Sequence, residues 1–388
     1  MSQAPKERLE TCLDLFSGAG GFTCGARWAG LSVAQSVEAN QRAAKTYSKN
    51  NPDVDVVLGD ITSLDPEACL DRIGLDIGDI DVLIAGTPCQ GFSESNRRTR
   101  TLDNPKNTLY TEVIRFARTV TPRCIVLENV AGLRTLAKGA VLAAIILDLE
   151  RLGYHVGWKV VCSADYGVPQ FRNRLFIVAS QIRLAHYFPR ATHGGDGLGY
   201  VTVKDAISDL PILRNGSMPD VARYRGNASP TAYGLKMRGS RNTESVQGNL
   251  VTNSSPLILE RYSHIRPGEN WRAIPPALMT NYQDSSRCHT GIYYRLKWHQ
   301  PSKVLGNFRK NMLIHPSQNR GLSVREAARL QSFPDSYEFV GSIGFQQQQV
   351  ADAVPPLLAM AVLRHLRREY RAAIRRSVAQ SVVEENAA

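Results

Sequence analysis

The 388-residue sequence predicts an α/β fold built on a doubly wound, mostly parallel sheet, with a smaller inserted domain. Three observations carry this. Over residues 1–180, short apolar runs alternate with amphipathic stretches, as expected of strands buried on both faces and separated by helices. The first apolar run passes through a glycine-rich turn, "SGAGG", straight into a helical pattern. From about residue 186 the texture changes to segments rich in Gly, Pro, Asn and Ser with weak periodicity, which mark an insertion.

The elements follow in order. "TCLDLF" (11–16) reads as a strand and 21–30 as its helix; "SVAQSVE" (32–38) is followed by a helix over 40–50. "VDVVLG" (54–59) and "DVLIAG" (81–86) are the third and fourth strands, with a helix over 106–120 after them. "CIVLEN" (124–129), a helix over 138–152, "VGWKVV" (156–161) and "RLFIVAS" (174–180) complete the pattern. In the insertion, "ATHGGDGLGY", "LRNGSMPD" and "YRGNASPTAYG" promise turns and short strands. Helical periodicity returns at 322–332, where Ser323 and Glu326 are spaced for a capping box. A last helix starts behind Pro355 and Pro356, residues suited to a first turn. The expected division is a main domain at 1–185, an inserted domain at 186–335 and a segment at 336–388 returning to the main domain.

The net charge of +12 is unevenly placed. Residues 186–320 hold 18 Lys and Arg against 8 Asp and Glu, interleaved with Tyr, Trp, Asn and Gln. That mixture suits phosphate neutralisation together with base contacts, so a polyanion partner is expected. "RHLRREYRAAIRR" (364–376), with six arginines and one glutamate, reads equally well as a solvated helix face. No run of eighteen apolar residues exists, which excludes a membrane-spanning helix, and "MSQAPKERLETC" lacks a signal-peptide core. Seven cysteines, odd in number and without a CxxC pair, point to reduced thiols in a cytoplasm, not to disulfides or a metal site.

Candidate site residues cluster at predicted strand ends. Glu38 ends the second strand, eighteen residues after Gly20, where a carboxylate can bind the two hydroxyls of a ribose. Asp60 follows the third strand and could accept from an adenine amino group. Each acid alone reads as a loop or capping residue, but successive strand ends offering nucleoside-binding groups favour an adenosine-containing cofactor. Cys89, in "GTPCQGFS", follows the fourth strand, and Glu128 ends the fifth. A hydrolase would need a histidine base, and residues 1–154 contain no histidine. A thiol and a carboxylic acid can instead add sulfur to carbon 6 of a cytosine while protonating nitrogen 3, turning carbon 5 into a nucleophile for a methyl group carried on a sulfonium.

Eight motifs in order give this chemistry a family. "DLFSGAGGF" (14–22), "VEAN" (37–40), "GDI" (59–61), "GTPCQGFS" (86–93), "ENV" (128–130), "QFRNR" (170–174), "LSVREAARLQSFPD" (322–335) and "ADAVPP" (351–356) resemble those of the DNA (cytosine-5)-methyltransferases, of prokaryotic or phage type. The resemblance implies a Rossmann-like methyltransferase fold using S-adenosylmethionine, with 1–185 as the catalytic and cofactor-binding domain and 186–335 as the target-recognition domain. It implies Cys89 as nucleophile, Glu128 as the acid at nitrogen 3, Arg174 at the cytosine oxygen, and Arg172 supporting it and the neighbouring carboxylate. Asp14, Phe16, Gly18, Gly20, Gly21, Glu38, Ala39, Asp60, Ile61, Pro88, Leu109, Asp352 and Ala353 would surround the cofactor. Gln90, Ser93, Ser95, Arg97, Arg98 and Arg100 would meet duplex DNA from a loop that closes over it, with the target cytosine flipped out. A monomer is implied, sharing its sequence with a restriction endonuclease it need not touch.

Two departures stand out. Phe171 and Asn173 occupy the spaces between functional positions of "QFRNR". In "ADAVPP", Ala351 and Asp352 stand where the family has glycine and asparagine, so a negative charge replaces two amide donors in a turn expected beside the cofactor. Neutral variation, weakened activity and a preference for an unusual cofactor all remain open there, with intact methyl transfer the expectation. An RNA cytosine methyltransferase is the alternative, disfavoured by the long recognition segment.

Overall fold

The computed structural model describes residues 7–87, 109–226, 229–239, 243–280, 291–306, 308 and 312–387, with side chains described as far as 379. The chain divides into two compact units, one of residues 1–162, 173–190 and 356–388, the other of 163–172 and 191–355.

The first unit is built on seven strands: β1 (Thr11–Leu15), β2 (Ser32–Glu38), β3 (Asp55–Leu58), β4 (Val82–Gly86), β5 (Cys124–Val130), β6 (His155–Cys162) and β7 (Asn173–Ser180). They form one sheet in the order β3-β2-β1-β4-β5-β7-β6. Neighbours from β3 through to β5 are parallel, and β7 runs antiparallel to both β5 and β6. The chain leaves β1 toward β2 and β3 and later returns to its other side as β4. That reversal opens a crevice at the carboxyl ends of β1 and β4, the place where such sheets bind ligands.

Helices α1 (Gly21–Trp28), α2 (Gln41–Asn50), α3 (Pro66–Asp71), α4 (Leu109–Val120) and α5 (Ala140–Arg151) accompany the strands. The four residues "VLIA" of β4 are buried, as a strand covered on both faces requires. Asn40 starts α2 by accepting from the backbone N–H groups of Arg42 and Ala43 at 2.9 and 3.2 Å. The short α3 was not foreseen in the sequence, yet its start is explicable: Asp65 caps Glu67 and Pro66 occupies the first turn. Leu13, Leu83, Phe116, Ile125, Ile145 and Ile177 are among the buried side chains of the unit's core.

The second unit contains α6 (Val203–Ile207), β8 (Ala222–Arg223), α7 (Ala232–Arg238), β9 (Ser245–Val246), α8 (Pro256–Ser263), α9 (Val324–Leu330) and α10 (Ile343–Asp352), with β8 and β9 antiparallel. The predicted capping box is present: Ser323 Oγ accepts from Glu326 N, while Glu326 accepts from Ser323 N at 2.8 Å. The charges of "LSVREAARLQSFPD" are buried. Arg329 bonds Asp209 and Asp335, both at 2.7 Å, and Arg320 bonds Glu326 at 2.7 Å. Burial alone would raise the Glu326 carboxyl, but Arg320 and His315 more than offset it and hold it down at about 2.

The chain then returns to the first unit as α11 (Pro356–Ala387). The returning segment therefore begins at Pro356 instead of 336, because α10 and its surroundings stay with the second unit; Gln347, for example, donates to Thr252 at 2.9 Å. The first boundary falls at 190/191 instead of 185/186, with His186 held by its carbonyl to His365 of α11 at 3.0 Å. The long α11 packs on α1 at very short range. A Cβ added at Gly25 would stand 2.4 Å from Ala359 Cβ and 2.6 Å from the Pro356 carbonyl oxygen, so only glycine fits. Among the described residues no helix is long and apolar enough to cross a membrane.

Candidate active site

The turn after β1 departs from ordinary backbone geometry. Phe16 has φ 58°, a left-handed conformation that is costly for a bulky residue, and Gly18 and Gly20 follow with φ 55° and 88°. The turn is held from β2: Ser17 N donates to the Val37 carbonyl at 3.1 Å and Gly18 N to Glu38 Oε2 at 2.7 Å. Gly20 precedes α1 and Gly21 is its first residue, buried. Strain concentrated where a strand meets a helix is a feature of ligand-binding turns.

Glu38 is the anchor of this corner. Its Oε1 also accepts from Asn40 N at 2.7 Å. Burial raises the carboxyl above its ordinary range, opposed by backbone N–H groups of Asn40, Gly18 and Ala39. Gly59 N donates to the Glu38 carbonyl at 3.1 Å, which brings the end of β3 alongside. Asp60 is exposed there and caps the 3₁₀ turn 61–63, accepting from Thr62 N and Oγ1 at 3.0 and 2.9 Å. Those bonds, the backbone one first, lower its carboxyl. Ile61 is buried, and Phe16 and Leu109 pack against the same core.

Asp14 lies under the turn, fully buried, and accepts from Thr23 Oγ1 at 2.6 Å; Thr23 Oγ1 in turn meets Tyr47 Oη at 2.7 Å. Burial lifts the Asp14 carboxyl to about 7. Sequence reading placed Asp14 beside the cofactor but missed the Thr23–Tyr47 support, which has no signal in spacing alone.

Across the crevice, Gly86 of β4 pairs in register with Glu128 of β5. Glu128 is buried and its Oε1 meets Arg174 Nε of β7 at 2.8 Å. The strand order supplies this pair: β7 lies beside β5, with Val130 opposite Arg174. Asn129 donates to Thr87 Oγ1 at 2.8 Å and so ties the exit of β4 to β5, a role the sequence reading did not assign. Pro88, Cys89, Gln90, Ser93, Ser95, Arg97, Arg98 and Arg100 lie outside the described residues.

Arg172, Asp352 and Ala353 belong to the second unit. Arg172 is buried and donates to the carbonyls of Leu305 and Ala353 at 3.0 and 3.3 Å. Ala353 O also accepts from Gln331 at 2.6 Å, and Gln331 meets Gln170, so two glutamines inside quoted motifs were overlooked as supports of this carbonyl. The Glu128 carboxylate is met by Arg174, two residues on from Arg172. Asp352 does not lie in a turn: it is the last residue of α10, exposed, and accepts from Gln348 one turn back at 2.7 Å.

Three of the described cysteines are not candidates for nucleophilic work. Cys12, Cys24 and Cys124 are buried, and burial raises their thiols, Cys24 and Cys124 to about 12.

Known proteins resemble this chain over most of its length. The description "C-5 cytosine-specific DNA methylase" matches residues 11–368. The type II methyltransferase M1.HphI of Haemophilus parahaemolyticus is 37% identical over 354 residues, 91% of this chain and 85% of its own. The type II methyltransferase M.DdeI of Desulfomicrobium norvegicum is 32% identical, over 90% of this chain and 86% of its own. A crystal structure described as a DNA modification methyltransferase encoded within an Escherichia coli prophage superposes with a TM-score of 0.74 at 25% identity, covering 93% of this chain and 99% of that one. A strained glycine turn, a carboxylate held by backbone N–H groups at the end of β2 and a buried carboxylate–guanidinium pair on one doubly wound sheet are thus met in a chain that belongs to the C-5 cytosine-specific DNA methylase family.

Proposed function

We propose that the protein methylates carbon 5 of one cytosine within a specific duplex DNA sequence, with Cys89 as nucleophile and Glu128 as the acid at nitrogen 3. The observation that carries the assignment is the Glu128–Arg174 pair, in register with the residue three positions before Cys89. A chain of three residues reaches no more than about 11 Å, so thiol and carboxyl can share one pyrimidine ring.

The crevice fits an adenosyl sulfonium cofactor. Ser17 Oγ is buried without a hydrogen-bond partner among the described residues, and nothing stands within 4 Å of a Cβ placed on Gly18, which leaves room at the turn. Glu38 would take the ribose hydroxyls, Asp60 and the Ile61 backbone the adenine edge, and Phe16 and Leu109 the adenine faces. Asp14, Gly20, Gly21, Ala39, Pro88, Asp352 and Ala353 complete the proposed surroundings. S-adenosylmethionine, when bound, supplies an electrophilic methyl group.

Cys89 gives up its proton to solvent and its sulfur bonds to carbon 6, while Glu128 delivers a proton to nitrogen 3. Arg174 holds Glu128 and faces the cytosine oxygen, so the charge that grows on the ring during addition meets a fixed guanidinium. Carbon 5 accepts the methyl group, its own proton departs to water, the carbon–sulfur bond breaks, and nitrogen 3 returns its proton to Glu128. Extruding the base costs a few kcal/mol. Ser95 would enter the gap, with Gln90 and Ser93 nearby and Arg97, Arg98 and Arg100 on phosphates.

The basic residues of 186–320 would read the major groove. The names of the type II relatives support action beside a restriction endonuclease that recognises the same sequence without direct contact. Work as a monomer on genomic DNA, in the prokaryotic cytosol and nucleoid, completes the reading. Bisulfite sequencing of DNA from cells expressing the chain is expected to show one methylated sequence context, lost with Cys89→Ala. Persistence of the mark in that variant would overturn the nucleophile.

A further inference from the structure

Five of the six arginines of "RHLRREYRAAIRR" share one side of α11, and their placement favours a binding surface over a solvated face. Arg364, Arg367, Arg368, Arg371 and Arg375 lie along one side of α11 and, with Arg8, line a cavity of about 640 Å³. The spacing of three and four residues keeps them in one row. From Arg364 to Arg375 the helix rises about 16 Å, the length of some five phosphates along one strand of a duplex.

Their charge is not cancelled. Arg364 donates to the Trp28 carbonyl at 2.8 Å, and Arg367 to the Leu9 and Ala29 carbonyls. Carbonyl oxygens fix a guanidinium without neutralising it. Glu7 meets Arg375 at 2.7 Å and Arg371 at 3.3 Å, and Glu369 meets Arg368 at 3.5 Å. Among the described residues, two carboxylates thus face the five guanidiniums of this row and that of Arg8. Arg368 and Arg375 keep most of their side chains in solvent, at 72% and 61% exposure.

The row sits at the wrong end of the sheet to serve the target cytosine. Leu9 precedes β1 and Trp28 and Ala29 precede β2, so the arginines gather at the amino ends of the strands. Phe16 and Glu38 mark the carboxyl ends, about 20 Å away by the rise of β1 and its flanks.

We propose that this row is a second DNA-binding site, taking the phosphate backbone of a duplex segment other than the one that holds the target base. It rests on the reading that the substrate is duplex DNA, and adds a contact that only a long or second duplex can reach. Such a site raises the local concentration of substrate by holding the enzyme on flanking DNA between encounters.

The test compares a short duplex with one target site and a linear DNA of several kilobases, using the full chain and R368Q/R371Q/R375Q. For the wild type, the dependence of log Kobs on log salt is expected to be steeper on long DNA than on the short duplex by two to three units. In the glutamine variant that difference should vanish and methylation of long DNA fall about tenfold, while turnover on the short duplex stays within twofold. R368K/R371K/R375K should restore the long-DNA behaviour, since point charges suffice. Equal salt slopes on both DNAs in the wild type would overturn the proposal, and so would an equal loss on the short duplex. Failure of all methylation in the wild type would contradict the proposed function instead.

Discussion

In the proposed chemistry, much rests on two single side chains, Glu128 and Arg174. An arginine at 2.8 Å from a buried carboxyl fixes its position. Arg174→Gln is expected to lower kcat by about 10²–10³ with a smaller change in KM, because the guanidinium acts chiefly as charge develops on the ring; an effect confined to KM would contradict that role. Asp14 carries a different prediction. Its folded value of about 7 lies above the ordinary 3.8, so between pH 4 and 7 the folded chain keeps a proton that the unfolded chain has released. Stability contributed by this group is present below pH 4 and lost as pH rises to 7, at no more than about 1.4 kcal/mol per unit. Asp14→Asn should remove that slope: urea unfolding at several pH values would show the wild-type-minus-variant difference falling from pH 4 to 7 and flat above, and a constant difference would refute it.

At the scale of elements, the strands were legible and their boundaries differ by a residue or so, since short apolar runs set between polar and helical stretches leave few alternatives. The helices α1, α2, α4 and α5 and the Ser323–Glu326 box were equally readable. What escaped was anything decided by contact between distant segments. The six-residue α3 is too short for periodicity, and Asp352 looks like a turn residue until α10 is seen to end on it. The charges of "LSVREAARLQSFPD" resemble a solvated helix in one dimension, yet Arg329 and Glu326 are interior because Asp209 and Arg320 lie opposite them. Gly25 is a similar case, ordinary in sequence and required by the approach of α11. Gly25→Val should destabilise the protein by roughly 1–3 kcal/mol or more, since backbone and not a flexible side chain blocks the added atoms. A thermal midpoint unchanged from wild type would show that α11 moves away freely.

For the whole molecule, the topology does what the motifs alone only suggest. Glycine turn, Glu38 and Asp60 are far apart in sequence and come together because β1, β2 and β3 are parallel neighbours whose carboxyl ends face one way. Glu128 and Arg174 meet because β7 inserts antiparallel beside β5, which no local pattern encodes. The division of the chain was misjudged by twenty residues at 335/355 for the same reason: a composition shift marks where loops thicken, whereas the unit boundary follows packing. The family was readable because it depends on short motifs fixed by chemistry. The arginine row on α11 was readable as charge but not as a site, since its meaning lies in the neutral carbonyls that hold it.

The central claim is that sulfur bonds to carbon 6 of a flipped cytosine before the methyl group arrives. A duplex carrying 5-fluorocytosine at the methylated position tests it most directly, because fluorine cannot leave as the proton does and the adduct persists. Incubated with S-adenosylmethionine, the protein should form a complex stable to denaturant, and peptide mass analysis should place the base on Cys89. A protein that methylates the natural duplex yet never becomes attached to the fluorinated one, or is attached through another residue, would contradict the account.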